Sequence, residues 1–164
     1  MIEMYDDRVE VSNHGIPTIQ VERFIDEHRS RNEKLADLMR LFSVCEEKGS
    51  GINKVVIAVE MFQLPAPDFL VGEIRTTAIL FAYQDFADIS KSARIRACYQ
   101  HCCLQYVSRQ RMSNQTLRER FGFDDSKNAL ISQVIGSTKE LGLIKADLSA
   151  SSSTRYIRYL PFWA

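Results

Sequence analysis

The sequence predicts an α+β protein in two units, residues 1–85 and 90–164, and three observations carry that prediction. Apolar residues alternate with charged ones at the start of the chain and run together from Ile74 to Tyr83, as strands require. Elsewhere in the first half they recur every three or four positions, the period of a helix with one buried stripe. The second half orders its signals as helices followed by two strands around a Ser-rich stretch, the sequence of elements in a winged helix-turn-helix.

Ile2, Met4, Val9 and Val11 are separated by Glu3, Asp6, Asp7, Arg8 and Glu10, which predicts a hairpin turning at Asp6-Asp7. Asn13 to Pro17 reads as a turn, and Val21, Phe24 and Ile25 give Val21 to His28 a short helical pattern. Asn32 is placed to cap a longer helix whose inward stripe is Leu35, Leu38, Met39, Phe42 and Cys45, closed by Lys48-Gly49. Ser50 then caps another helix, with Ile52, Val55, Val56, Val59 and Phe62 buried and Leu64-Pro65 as its end. After Pro67 a loop leads into the β-run, and Gln84 to Ser90 marks the boundary between units. Strand character begins at the first residue, so nothing before the hairpin covers or pairs it, and the chain is expected to be a fragment of a longer protein.

In the second unit, Ser113 or Asn114 caps a short helix with Leu117 and Phe121 facing inward, and Gly122 ends it. The next helix buries Leu130, Ile131, Val134, Ile135 and Leu141, and carries Lys127, Asn128, Ser132 and Gln133 on the opposite face, where a major-groove reading helix needs them. Gly142 stops that helix. Leu143 to Asp147 and Arg155 to Leu160, joined through Ser149 to Ser153, form the expected wing. The formal net charge of zero hides a partition. Residues 1–87 hold nine Lys and Arg against fifteen Asp and Glu, a balance of −6, while residues 88–164 hold twelve against six, a balance of +6. A polyanion partner for the basic half follows, because cations that neutralise phosphates release condensed counterions.

Several function classes are excluded by what is missing. There is no Gly-x-x-x-x-Gly-Lys-Ser/Thr loop, no Gly-x-Ser-x-Gly elbow and no His-Glu-x-x-His, so no catalytic residue is assigned and the chain alone is not expected to be an enzyme. Cys98 and Cys102 stand one helical turn apart, but a tetrahedral zinc site draws ligands from a second segment, and none is placed to supply them. Buried, reduced thiols on the first helix of the basic unit are expected instead, with no metal. No apolar run reaches the length of a membrane span and the first residues, with Glu3, Asp6 and Asp7, do not resemble a secretory signal, so a cytoplasmic location is expected.

The order hairpin, Ser12-Asn-His-Gly-Ile-Pro17, Arg29-Ser-Arg-Asn32 with Leu35-Ala36, Glu46 through Ile52, and then a β-run resembles the C-terminal region of bacterial RecG-related putative ATP-dependent DNA helicases, also described as transcriptional regulators. The ending Tyr159-Leu-Pro-Phe-Trp163 fits the same resemblance. It implies a truncated, degenerate ATP-binding fold of the GHKL kind followed by a winged helix, with an AAA or Schlafen-like domain upstream as a partner. Two departures weaken the nucleotide site the resemblance implies. No Asn-bearing helix precedes the hairpin, and Asn13-His14-Gly15 lacks the Asp and second Gly of an adenine-reading turn. Gly49, Ser50 and Gly51 at a helix start are the candidate phosphate cradle, although Gly49 ending one helix and Ser50 capping the next explains them as well.

The leading expectation is a DNA-binding regulatory fragment with double-stranded DNA as partner and no cofactor in this chain, ATP entering only in a longer one. Lys127, Asn128, Ser132 and Gln133 approach base edges, while Arg155 and Arg158 on the wing, with Arg118 or Arg120, meet phosphates. One alternative uses the winged helix as a packing platform in a protein-interaction module, the two halves binding through complementary charge. Another is the ATP-binding part of a helicase-like protein. Homodimerisation is compatible with paired half-sites, although no heptad seam specifies it.

Overall fold

A computed structural model describes residues 1–44, 50–148 and 157–164. Its first half is built on a four-stranded antiparallel sheet of order β1-β2-β4-β3, with β1 Ile2–Met4, β2 Arg8–His14, β3 Asp68–Val71 and β4 Arg75–Phe81. The hairpin register Ile2 to Val11 and Met4 to Val9 puts the alternating apolar residues on one face, and Val9 to Leu80 extends that face into β4. Ile2, Met4, Val11 and Leu80 are exposed there, whereas Ile79 on the other face is buried. Strand β3 was not expected from sequence. Pro67 precedes it and Gly72 follows it, so its four residues read as loop until β4 supplies a partner.

The helical pattern from Val21 becomes a short 3-10 turn, Val21–Arg23, held by an Arg23–Asp26 ion pair. Helix α1, Glu33–Leu41, starts where expected, with the Asn32 side chain accepting from the Leu35 amide at 3.1 Å. It stops well before Lys48, because Ser43 turns left-handed at φ 54°. Its stripe is also not buried: Leu35, Leu38, Met39 and Phe42 are all exposed, since no described element packs on them. Cys45, Lys48 and Gly49 lie outside the described residues. Helix α2, Ser50–Met61, buries Val56 and Val59 as its pattern required, while Phe62 stays exposed.

Beyond the linker, Ser90 caps α3, Lys91–Val107, whose residues Ala97 through Leu104 are all buried. Helix α4, Asn114–Arg120, begins with a capping box in which Ser113 and Thr116 satisfy each other's amides. Its end depends on Gly122 at φ 68°, where an added Cβ would lie 2.6 Å from the Gln63 side chain. A 3-10 turn, Asp125–Lys127, feeds α5, Asn128–Glu140, which buries Ile131, Val134, Ile135 and Thr138. Leu141, expected in that stripe, is 64% exposed because the helix ends at Glu140 and the chain turns outward. The two-stranded ribbon, β5 Ile144–Ala146 and β6 Tyr159–Pro161, is shorter than the sequence suggested, and Met112 bridges to Tyr159 beside it. Ser149 to Ser153 and Arg155 lie outside the described residues.

One contiguous apolar cluster serves both halves. Ile25, Val56 and Ala66 from the first join Cys98, Cys102, Leu117, Ile131 and Ile144 from the second. Polar ties cross the same junction: Arg96 pairs with Asp68 at 2.8 Å, His101 Nδ1 meets both Glu60 oxygens at 3.0 Å, and Arg120 donates to the Leu64 carbonyl at 2.8 Å.

Candidate nucleic-acid interface

The face of α5 opposite its buried stripe carries Lys127, Asn128, Ser132 and Gln133, and all four are exposed. Its angle to α4 is fixed by one side chain. Asn114 donates through Nδ2 to the Asn128 carbonyl at 3.1 Å and to the Ser132 hydroxyl at 2.9 Å, while its Oδ1 accepts from Arg118 Nε at 2.9 Å. Two helices are thus locked at the end where α5 begins, and the Ser132 hydroxyl keeps its own proton to donate outward.

The arginines divide differently from what the charge count suggested. Arg120 was expected to meet phosphates, but it is 5% exposed and its guanidinium turns inward to the Leu64 carbonyl. The correction has a physical basis: Arg120 sits on the inner side of α4 next to Leu117, so reaching solvent would mean leaving the core. Burial lowers its pKa, with Glu60 acting in the opposite sense. Arg118 is held between Asn114 and an ion pair with Asp125 at 2.5 Å, which leaves its side chain only partly accessible. Arg94 caps the Phe86 and Ala87 carbonyls and lies over the Phe86 ring, and Arg111 pairs with Asp147 at 3.1 Å. Much of the basic excess is therefore already engaged by partners within the chain. Lys91, Arg109, Lys127, Lys139 and Arg158 remain exposed, and Arg155 lies outside the described residues.

The candidate phosphate cradle lies in the other half. Ser50 and Gly51 open α2, Gly51 is exposed with open space around it, and Gly49 lies outside the described residues. A cavity of about 470 Å³ adjoins this helix start, bounded by Pro17, His28, Arg29, Arg31, Gly51 and Ile52. Segments distant in sequence meet here for a reason. Gly15 at φ 115° leaves room for the Arg31 guanidinium, 3.0 Å from where a Cβ would stand, and Arg31 donates to the Ile16 carbonyl. The turn is anchored to β4 by Gly15 N–H on the Ile74 carbonyl and Thr76 Oγ1 on the Gly15 carbonyl, both at 2.7 Å. Sequence reasoning picked out the turn and the Arg-Asn pair separately and missed that they interlock, because a contact between an arginine and a glycine leaves no periodic signal.

Cys98, Cys102 and Cys103 are free, buried thiols on α3. No group of three or more metal-ligating side chains gathers among the described residues, and no described helix is long and apolar enough to cross a membrane. No curated protein and no solved structure matches the chain. A family model does match, and its span stops at the end of the four-stranded sheet, leaving the three-helix and ribbon half outside. Over residues 1–80, just under half of its length, the chain matches the model of the family described as putative ATP-dependent DNA helicase recG C-terminal.

Proposed function

We propose that this chain is a DNA-binding regulatory module whose second half docks on a duplex as a winged helix, α5 entering the major groove. The observation that carries the reading is the solvent-facing row Lys127, Asn128, Ser132 and Gln133 at the start of α5. Asn and Gln can each make a bidentate contact to adenine, and the lysine adds backbone or guanine contact. The helix–helix–helix–ribbon order and the RecG-like first half support it. Because Arg120 is internal and Arg118 is engaged, the phosphate contacts fall to Arg158 and the exposed lysines. About three or four such contacts give a log–log salt slope near −3 to −3.5. A gel shift against genomic DNA pools, with Lys127→Glu as control, tests it; the absence of any duplex binding at low salt removes the reading.

A second reading, nucleotide binding in the first half, is favoured by the family and by the cavity that sets Arg29 and Arg31 beside the start of α2. Phosphates are attracted by helix N-termini and by arginines alike. Calorimetry with ATP and Mg²⁺ decides it, and a flat titration excludes it.

A further inference from the structure

Helices α3 and α5 meet along one stripe from each. Lys91, Arg94 and Ile95 stand at i, i+3 and i+4 in the first turns of α3, and Leu130, Gln133, Val134 and Ser137 follow the same spacing along α5. Where the stripes face each other a cavity of about 390 Å³ remains, lined by these residues. Its size falls within the range of small-molecule sites, and it is distinct from the cavity beside Arg29 and Arg31. Ser137 stands where a continued apolar stripe would need a large residue, and its short side chain leaves the gap open.

Floor and rim differ in chemistry. Ile95 and Val134 are each 8% exposed and Leu130 is half-buried, which makes the floor apolar. Lys91 at the rim is exposed, and among the described residues neither it nor Arg94 has a carboxylate within ion-pairing distance. Arg94 is held by the Phe86 carbonyl at 2.8 Å and the Ala87 carbonyl at 3.0 Å, and lies over the Phe86 ring. Such neutral partners position a guanidinium without cancelling its charge. Arg94 therefore acts on the cavity through its field, and Lys91 is the cation free to touch an occupant. Among the described residues no acidic side chain lines the cavity. Two uncancelled positive charges over an apolar floor attract an anion and give its uncharged part a surface to cover.

We infer that the cavity between α3 and α5 is a binding site for a small organic monoanion, a carboxylate on an apolar body, with the carboxylate at Lys91 and the body on Ile95, Leu130 and Val134. One negative charge suffices, because only Lys91 is free to contact it. A phosphate of a duplex meets such a lysine equally well but leaves the floor uncovered, so the apolar body is what separates the two. Gln133 also belongs to the row proposed to face DNA. Binding is therefore measured without nucleic acid, and stands or falls apart from that reading.

The probes are 2-naphthoate, the uncharged 2-naphthamide of the same shape, and inorganic phosphate, each titrated into the full chain by calorimetry at low ionic strength. Naphthoate is expected to bind about tenfold more tightly than naphthamide, with the gap narrowing as salt screens Lys91. Phosphate, a charge without a body, binds at least about tenfold more weakly than naphthoate. Lys91→Gln, at an exposed position, brings naphthoate down to the affinity of naphthamide. Ser137→Trp fills the cavity and abolishes binding of both while circular dichroism shows the fold retained. If Ser137→Trp does not fold, Lys91→Gln and the probe set on the unaltered chain decide the matter. Equal affinity for naphthoate and naphthamide, phosphate binding as tight as naphthoate, no naphthoate binding at millimolar concentration, or a naphthoate affinity unmoved by Lys91→Gln or Ser137→Trp overturns the inference.

Discussion

Helices α1 and α3 invert the usual relation between pattern and burial. α1 has a strong apolar stripe, yet none of its residues is buried, and Phe42 at its end is 69% exposed. α3 has almost no stripe and includes Arg96, Gln100 and His101, yet it is the most enclosed helix among the described residues. The difference lies in neighbours. α3 is flanked by α2, α4, α5 and β6, so most of its surface is covered, and its polar residues survive burial by finding partners in the first half. α1 touches no comparable set. Periodicity reports which face of a helix prefers to leave water; whether it can do so depends on elements that the helix's own sequence does not encode.

The largest expected effect comes from the thiols of α3. Burial pushes Cys98 and Cys103 up to about 12 and moves Cys102 further in the same direction. Unfolded thiols ionise near 8.5 to 9, so the unfolded chain loses these protons first as the pH rises. Stability from the thiols is thus complete below about pH 8.5 and declines progressively through the interval up to about 12. At about 1.4 kcal/mol per thiol per pH unit, three thiols cost roughly 4 kcal/mol at pH 10. Urea unfolding at pH 7 and pH 10 measures the loss. Alkylation at pH 8 followed by mass spectrometry adds a check, with the peptides carrying these three cysteines expected to stay unmodified in the folded chain. Rapid labelling of all three would show that α3 is as open as α1.

Next in size is the polar tie through which α3 holds the first half. Glu60 meets His101 at 3.0 Å and is the acidic group that acts on buried Arg120. Glu60→Ala leaves the buried His101 ring and the buried Arg120 guanidinium without their acidic neighbour, and stranding buried polar groups in this way costs about 3 kcal/mol. A loss below about 1 kcal/mol would mean that water reaches the junction and that the enclosure of α3 is incomplete.

Much of this architecture was legible in the sequence, and the failures have identifiable causes. Asn32, Ser113 and Gly122 marked helix ends correctly, because caps are local chemistry written in one or two residues. The hairpin at Asp6-Asp7 was equally local. Strand β3 escaped because its four residues are strand only by virtue of β4, and Arg120 was misplaced because a basic residue on an inner helix face looks the same in sequence as one on an outer face. Lys127, Asn128, Ser132 and Gln133 were found from their helical spacing against Ile131 and Val134, and the structure leaves them exposed. A cavity of about 370 Å³ between α3 and the edge of the sheet had no sequence signal. It is assembled by Phe24, Phe69 and Gln100, which come from a turn, an edge strand and a helix.

Matched leucine truncations come close behind in size. Leu104 on α3 is 7% exposed and Leu38 on α1 is 50% exposed. Leu104→Ala should cost about 3 kcal/mol through lost transfer energy and the cavity left behind, and Leu38→Ala less than about 0.5 kcal/mol. Similar losses in urea unfolding would mean that α1 is covered in solution by something that packs on its apolar stripe.

The smallest effect separates the helices most cleanly, because the substituted chemistry is the same in both. Asn32 accepts from the Leu35 amide at 3.1 Å to cap α1, and Ser90 accepts from the Ala93 amide at 3.2 Å to cap α3. Either cap removed by alanine costs its own helix about 1 kcal/mol. In α3 that loss is carried into global unfolding, since the helix cannot fray without opening the core, so Ser90→Ala lowers the unfolding free energy by about 1 kcal/mol. In α1 the loss stays local: Asn32→Ala speeds hydrogen exchange across Glu33–Leu41 about fivefold and leaves the urea midpoint unchanged. A shift of the midpoint by Asn32→Ala equal to that by Ser90→Ala would show that α1 unfolds together with the core despite its exposed stripe, and the contrast between the two helices would be one of surface area alone.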